Sequence, residues 1–78
     1  VRGHGEVQNE LRRIFNHVGL NPNDTLELST TYRGYEFTTT VRGVNLHLAR
    51  AALTTFLMDR RGATAVILDD ALVVTQRG

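Results

Sequence analysis

Three histidines, His4, His17 and His47, are the side chains of this sequence whose ordinary titration falls nearest neutrality. None stands three or four residues from another histidine or from a carboxylate, so the helical spacing of a metal pair is missing and no metal site is expected. Asp69 and Asp70 are adjacent carboxylates, but neighbours at a turn point apart, and a hairpin loop accounts for them better than acid–base work does. Ser29 to Thr31 and Thr38 to Thr40 are rich in hydroxyls. No histidine is placed by sequence to activate one, and β propensity on a polar face explains the run. Gly3, His4 and Gly5 precede a helix as a phosphate loop would, without the strand before it or the lysine after it. With no cysteine, thiol chemistry, thiolate metal sites and disulfides are all excluded. No catalytic residue and no cofactor are expected, and the chain reads as non-enzymatic.

Charge gives the next class of chemistry. The formal net charge is +1, too small for a general attraction to nucleic acid or to an anionic membrane. All nine basic residues are arginine, for which a GC-rich coding genome is the simplest explanation and guanidinium forks for phosphate or carboxylate the functional one. A nucleic-acid surface, the second reading, would use Arg12 and Arg13 on the first helix and Arg33 at a hairpin tip, with Tyr32 and Tyr35 beside it. Glu10, Glu27 and Glu36 are interspersed among them and favour a solvated face. Arg33, Gly34, Tyr35, Glu36 and Phe37 resemble the start of the RNP1 signature of RNA-recognition motifs. The likeness covers these residues alone and departs at Glu36, Thr38 and Thr40. Stacking RNA on Tyr35 and Phe37 would turn Glu36, Thr38 and Thr40 into the core, at about 1 to 3 kcal/mol for each unpaired group, and the reading is set aside.

The elements that position these residues follow from periodicity. Val7, Leu11, Ile14 and Val18, with Phe15 beside them, predict a helix from about Glu6 to Val18, closed by Gly19 in a left-handed conformation, Leu20 folding back and Pro22. After the turn cluster Asn21 to Asp24, Leu26, Leu28, Thr30 and Tyr32 alternate with Glu27, Ser29 and Thr31. Beyond Arg33 and Gly34, Tyr35, Phe37, Thr39 and Val41 alternate with Glu36, Thr38, Thr40 and Arg42. A two-residue loop at Arg33 and Gly34 opposes Tyr32 to Tyr35, Thr30 to Phe37, Leu28 to Thr39 and Leu26 to Val41, which places every apolar side chain on one face. Val44 to Arg61 predicts the second helix, capped by Asn45 and followed by Gly62. Leu46, Ala49, Leu53, Phe56 and Leu57 form its buried stripe, Leu48 and Ala52 widen it, and Arg60 and Arg61 complement its dipole. Ala63 to Leu68 and Ala71 to Gln76 then form a hairpin apolar on both faces: Ala65, Ile67, Leu72 and Val74 on one, Val66, Leu68 and Val73 on the other.

Residues 1–78 thus read as a single small α+β domain of order αββαββ: a two-layer sandwich with a four-stranded antiparallel sheet and two helices on one face. Moving the last strand to the front gives the ferredoxin-like arrangement, so the chain reads as a circular permutant of it with Tyr35 to Val41 and Ala71 to Gln76 as central strands. Two copies of a helix–hairpin unit derive the same sandwich: Val1, Arg2, Gly3 recurs as Val41, Arg42, Gly43, and Thr75 to Gly78 echoes Thr40 to Gly43. The open sheet face shows Thr38, Thr40 and Arg42 on one half and, on the other, an aliphatic patch drawn from either Val66, Leu68 and Val73 or Ala65, Ile67, Leu72 and Val74. The first set, with Arg42 at the rim, is the expected binding surface, covered by a homodimer or another protein partner or equally by a neighbouring segment of a longer parent, for which the first residue Val1 and the ending at Gly78 argue. No apolar run is long enough to cross a bilayer and Val1 to Gly5 lack the core of a secretory signal, so the expectation is a soluble, cytoplasmic domain without membrane contact.

Overall fold

The computed structural model describes residues 6–77. Gly3, His4 and Gly5, and the echoes at Val1 to Gly3 and at Gly78, lie outside the described residues. Helix α1 (Glu6–His17) is followed by strands β1 (Glu27–Arg33) and β2 (Glu36–Arg42), helices α2 (Leu46–Ala52) and α3 (Thr54–Asp59), and strands β3 (Ala63–Leu68) and β4 (Ala71–Gln76). The strands form one antiparallel sheet of order β1-β2-β4-β3, so β2 and β4 are the inner pair. Val7, Leu11 and Phe15 of α1, Ala49 of α2, Leu53 and Phe56 join Phe37, Val41, Ala65, Leu72 and Val74 of the sheet in one core. That core consumes one face of the sheet.

Helix α1 ends as its residues require. Gly19 takes φ +75°, the Leu20 N–H donates to the Phe15 carbonyl at 2.9 Å, and the Gly19 N–H to that of Asn16 at 3.1 Å. These paired bonds satisfy carbonyls that the last turn leaves free. Asn45 caps α2, its side-chain oxygen accepting from the Leu48 N–H at 3.1 Å.

The single second helix is a correction: the stretch is broken at Leu53, which closes α2 and opens α3. Thr54 donates its hydroxyl to the Ala51 carbonyl at 2.8 Å, and the Leu53 N–H bonds to Arg50, three residues back. A hydroxyl competing for a backbone carbonyl, followed by a second β-branched residue at Thr55, tightens the turn there. Leu53 itself remains fully buried. Leu48, by contrast, is 56% exposed and does not widen the buried stripe.

The first hairpin also departs from its expected register. The loop is Gly34 and Tyr35, so Arg33 faces Glu36, Tyr32 faces Phe37, Thr30 faces Thr39 and Leu28 faces Val41. Gly34 has φ +65°, and glycine belongs at the first central position of such a turn, not the second. Because the slip is by an even number of residues, the inward face survives except at Tyr35, which stands 95% exposed at the hairpin tip. The second hairpin follows expectation, with Asp69 and Asp70 in the loop, Asp69 at φ +54°, and Ala65 facing Val74.

The two hairpins meet through β2 and β4 about an approximate twofold axis. The same number of residues separates Gly34 from Asp69, Thr39 from Val74 and Arg42 from Arg77, and Thr39 and Val74 face each other at the centre. The echo of Thr40 to Arg42 in Thr75 to Arg77 has this same spacing.

Candidate functional site: the open sheet face

Side chains paired across strands share a face, so the register lays out the surface that the helices do not cover. One row runs across all four strands as Thr31, Thr38, Thr75 and Thr64. The next is Ser29, Thr40, Val73 and Val66. Thr64 and Thr75 join hydroxyl to hydroxyl at 2.9 Å. Beyond the second row, Leu68 pairs with Ala71 on the outer side. Neither row contains a charged residue. Charges stand at the two ends: Arg33, Glu36 and Arg77 at one, Glu27, Arg42 and Asp70 at the other.

The burial of β3 and β4 decides which apolar set is open. Leu72 and Val74 are fully buried and Ala65 nearly so, with Ile67 packed against them. Val66 is 48% and Leu68 55% exposed, and Val73 is half-buried between Thr40 and Val66. Arg42 lies at the edge of this patch with its Nε 3.7 Å from Asp70 Oδ1, a solvent-exposed pair. Val66, Leu68, Val73 and Arg42 are therefore on one surface.

The residues of the nucleic-acid reading are divided. Arg33 is on the open face opposite Glu36, where a hollow of about 270 Å³ is also lined by Thr31, Thr38 and Arg77. Arg12 and Arg13 belong to α1 in the helix layer, bordering Asn9, Asn16 and His17. Tyr32 points to the helix side, its ring 6.5 Å from that of Phe37. Burial raises the Tyr32 phenol above its ordinary value; a hydrogen bond with the Val7 backbone opposes this, the Glu6 carboxylate adds to it, and Arg60 opposes it. Phe37 is buried, so it offers no stacking platform. His17 ends α1 and His47 lies on α2, both exposed.

Among the described residues, no three His, Cys, Asp or Glu side chains gather as metal ligands. No buried side-chain nitrogen or oxygen there lacks a hydrogen-bond partner. No helix among them is long and apolar enough to cross a membrane. The threonine row was not apparent from sequence, because it needs the β2–β4 register; the shared spacing of Thr40 and Thr75 was the signal that could have supplied it. Comparison with family models, curated proteins and solved structures finds no match to this chain.

Proposed function

We propose that this domain is a non-enzymatic protein–protein interaction or regulatory module that self-associates through its open sheet face, with Val66, Leu68 and Val73 at the contact and Arg42 at its rim. The observation that carries the reading is the distribution of charge on that face. Its middle is hydroxyl and aliphatic and its ends are charged, the pattern of an interface whose centre is depleted of charge and whose rim stays wet. Exposed Val66 and Leu68 gain by leaving water, at roughly 25 cal/mol for each Å² removed. A ferredoxin-like fold in permuted order goes with this reading, supported by β2 and β4 being antiparallel inner neighbours.

Sedimentation equilibrium at several loading concentrations and two salt levels tests it, with Val73→Glu and Thr38→Arg as variants on the inner strands. A wild-type oligomer that both variants reduce to a smaller species at either salt, while circular dichroism shows them folded, is the expected result. Wild-type protein that remains monomeric, or variants that associate as wild type does, overturn it. Phosphate binding through Arg12, Arg13 and Arg33 predicts instead a nucleic-acid affinity that falls steeply with salt and weakens in Arg33→Ala.

A further inference from the structure

We infer that the free edge of β3 is a second, independent self-association surface, at which two copies of the chain pair antiparallel about Ala65 to continue the sheet. Strand β3 is bonded on one side to β4, and no other strand among the described residues pairs with it. An edge strand leaves alternate N–H and C=O groups unbonded, and sequences ordinarily guard it with an internal charge, a proline or a bulge. Ala63, Thr64, Ala65, Val66, Ile67 and Leu68 contain no charge and no proline, and their register with β4 runs without a bulge.

The charges lie at the two ends of the strand and have opposite signs. Arg60 and Arg61 precede it and Asp69 and Asp70 follow it. Two of the four are already occupied: Arg60 by Glu10 at 2.9 Å and Asp70 by Arg42 at 3.7 Å. Arg61 and Asp69 are exposed and, among the described residues, in no ion pair. They are also equidistant from Ala65 along the chain. Antiparallel pairing about Ala65 therefore sets Thr64 opposite Val66, Ala63 opposite Ile67, and Arg61 of each copy opposite Asp69 of the other. Parallel pairing would set like charges together. A twofold axis places the same complementary contact at both ends, as an isologous interface requires.

The other edge differs in what stands beside its end charges. Strand β1 also has ends of opposite sign, but Glu27 stands opposite Arg42 and Arg33 opposite Glu36 within the chain. Each end charge of β1 therefore already has an opposite charge across from it on β2, though among the described residues it forms no ion pair, and its pull on a second copy is weaker. A second copy of β3 is favoured over an arbitrary extended peptide because the complementarity is of this strand with itself.

Charge exchange tests the pairing, in a Thr38→Arg background that blocks association through the open face. Thr38→Arg protein should be dimeric by sedimentation equilibrium. Adding Arg61→Asp, or separately Asp69→Arg, brings like charges together at both ends, and the dimer dissociation constant should rise about tenfold or more. An equimolar mixture of the two variants restores both opposite-charge contacts and should form heterodimers near the original affinity. Circular dichroism checks that each is folded. Dimers in the single variants, or a mixture that stays monomeric, overturn the edge pairing. If Thr38→Arg is monomeric where wild type associates, the edge fails and the open face stands. If Thr38→Arg associates as wild type does, the open face fails and the charge exchange still decides the edge.

Discussion

Arg60 donates from Nη2 to Glu10 Oε1 at 2.9 Å, joining the turn after α3 to the middle of α1 across 50 residues of chain. The same guanidinium lies 4.7 Å from the centre of the Phe56 ring. One side chain thus ties both helical segments together over the core. Both partners are about one-third exposed, so water and salt screen the charge–charge part. Glu10→Gln should cost about 0.5 to 1 kcal/mol in urea unfolding, and less at high salt. Arg60→Ala should cost more, about 1 to 2 kcal/mol, because the ring contact and the stem packing go with the charge. Equal costs for the two changes would show that the Phe56 contact contributes nothing.

Thr30 and Thr39 meet hydroxyl to hydroxyl at 3.1 Å on the helix side of the sheet, with Thr39 fully buried. Each satisfies a group that burial would otherwise leave unpaired. Removing one hydroxyl strands the other, so Thr39→Val and Thr30→Val should each cost about 1 kcal/mol. The double substitution exchanges both for apolar groups of the same shape and should cost less than the sum of the singles. A double-mutant cycle measures the difference, and strict additivity would rule out a direct bond.

Tyr32 should report its burial at alkaline pH. The chain has two tyrosines, so Tyr35→Phe leaves Tyr32 as the one phenol in a spectrophotometric titration. Desolvation, first, and the nearby Glu6 raise its folded-state value above the ordinary 10.0, against the Val7 backbone bond and Arg60. The unfolded chain then ionises before the folded one. Stability is full below pH 10 and is lost as pH rises through the folded-state value. The titration midpoint should lie above 10 and fall in Glu6→Gln; a midpoint at or below 10 contradicts the burial.

What the local sequence of each element encodes follows the range of the forces that shape it. Val7, Leu11 and Phe15, and the Gly19–Leu20 closure, are written in local periodicity and turn chemistry, and helix α1 was legible almost to the residue. The inward face of the first hairpin was legible because alternation is exact to a parity. Its register was not, because parity does not distinguish slips of two residues, and only the demand of Gly34 for the first turn position does. The break at Leu53 was hidden by an apolar stripe that continues unbroken through it. On the candidate face, Val66, Leu68 and Val73 could be grouped from the strand pattern, whereas their exposure depended on which side the helices took. The neutral rows required the long-range pairing of β2 with β4.

Gly43 separates two effects that a glycine can have. It follows β2 with φ +85°, and a β-carbon there would run into the carbonyl oxygen of Thr25. The Thr25 hydroxyl donates to the Gly43 carbonyl at 2.6 Å, so the two backbones are held together as well as close. Gly34 has φ +65° with open space around its missing β-carbon. Gly34→Ala should therefore cost about 1 to 2 kcal/mol, the left-handed conformation alone. Gly43→Ala carries that cost and a steric clash with main chain, which cannot rotate away as a side chain would. Its loss should be about 3 kcal/mol or more, large for a single methyl group. Thr25→Val, removing the hydroxyl bond and keeping the close approach, should cost about 1 kcal/mol. Urea unfolding of the three variants checks the order, and equal losses at Gly34 and Gly43 would mean that the segment before β1 does not pack against the end of β2.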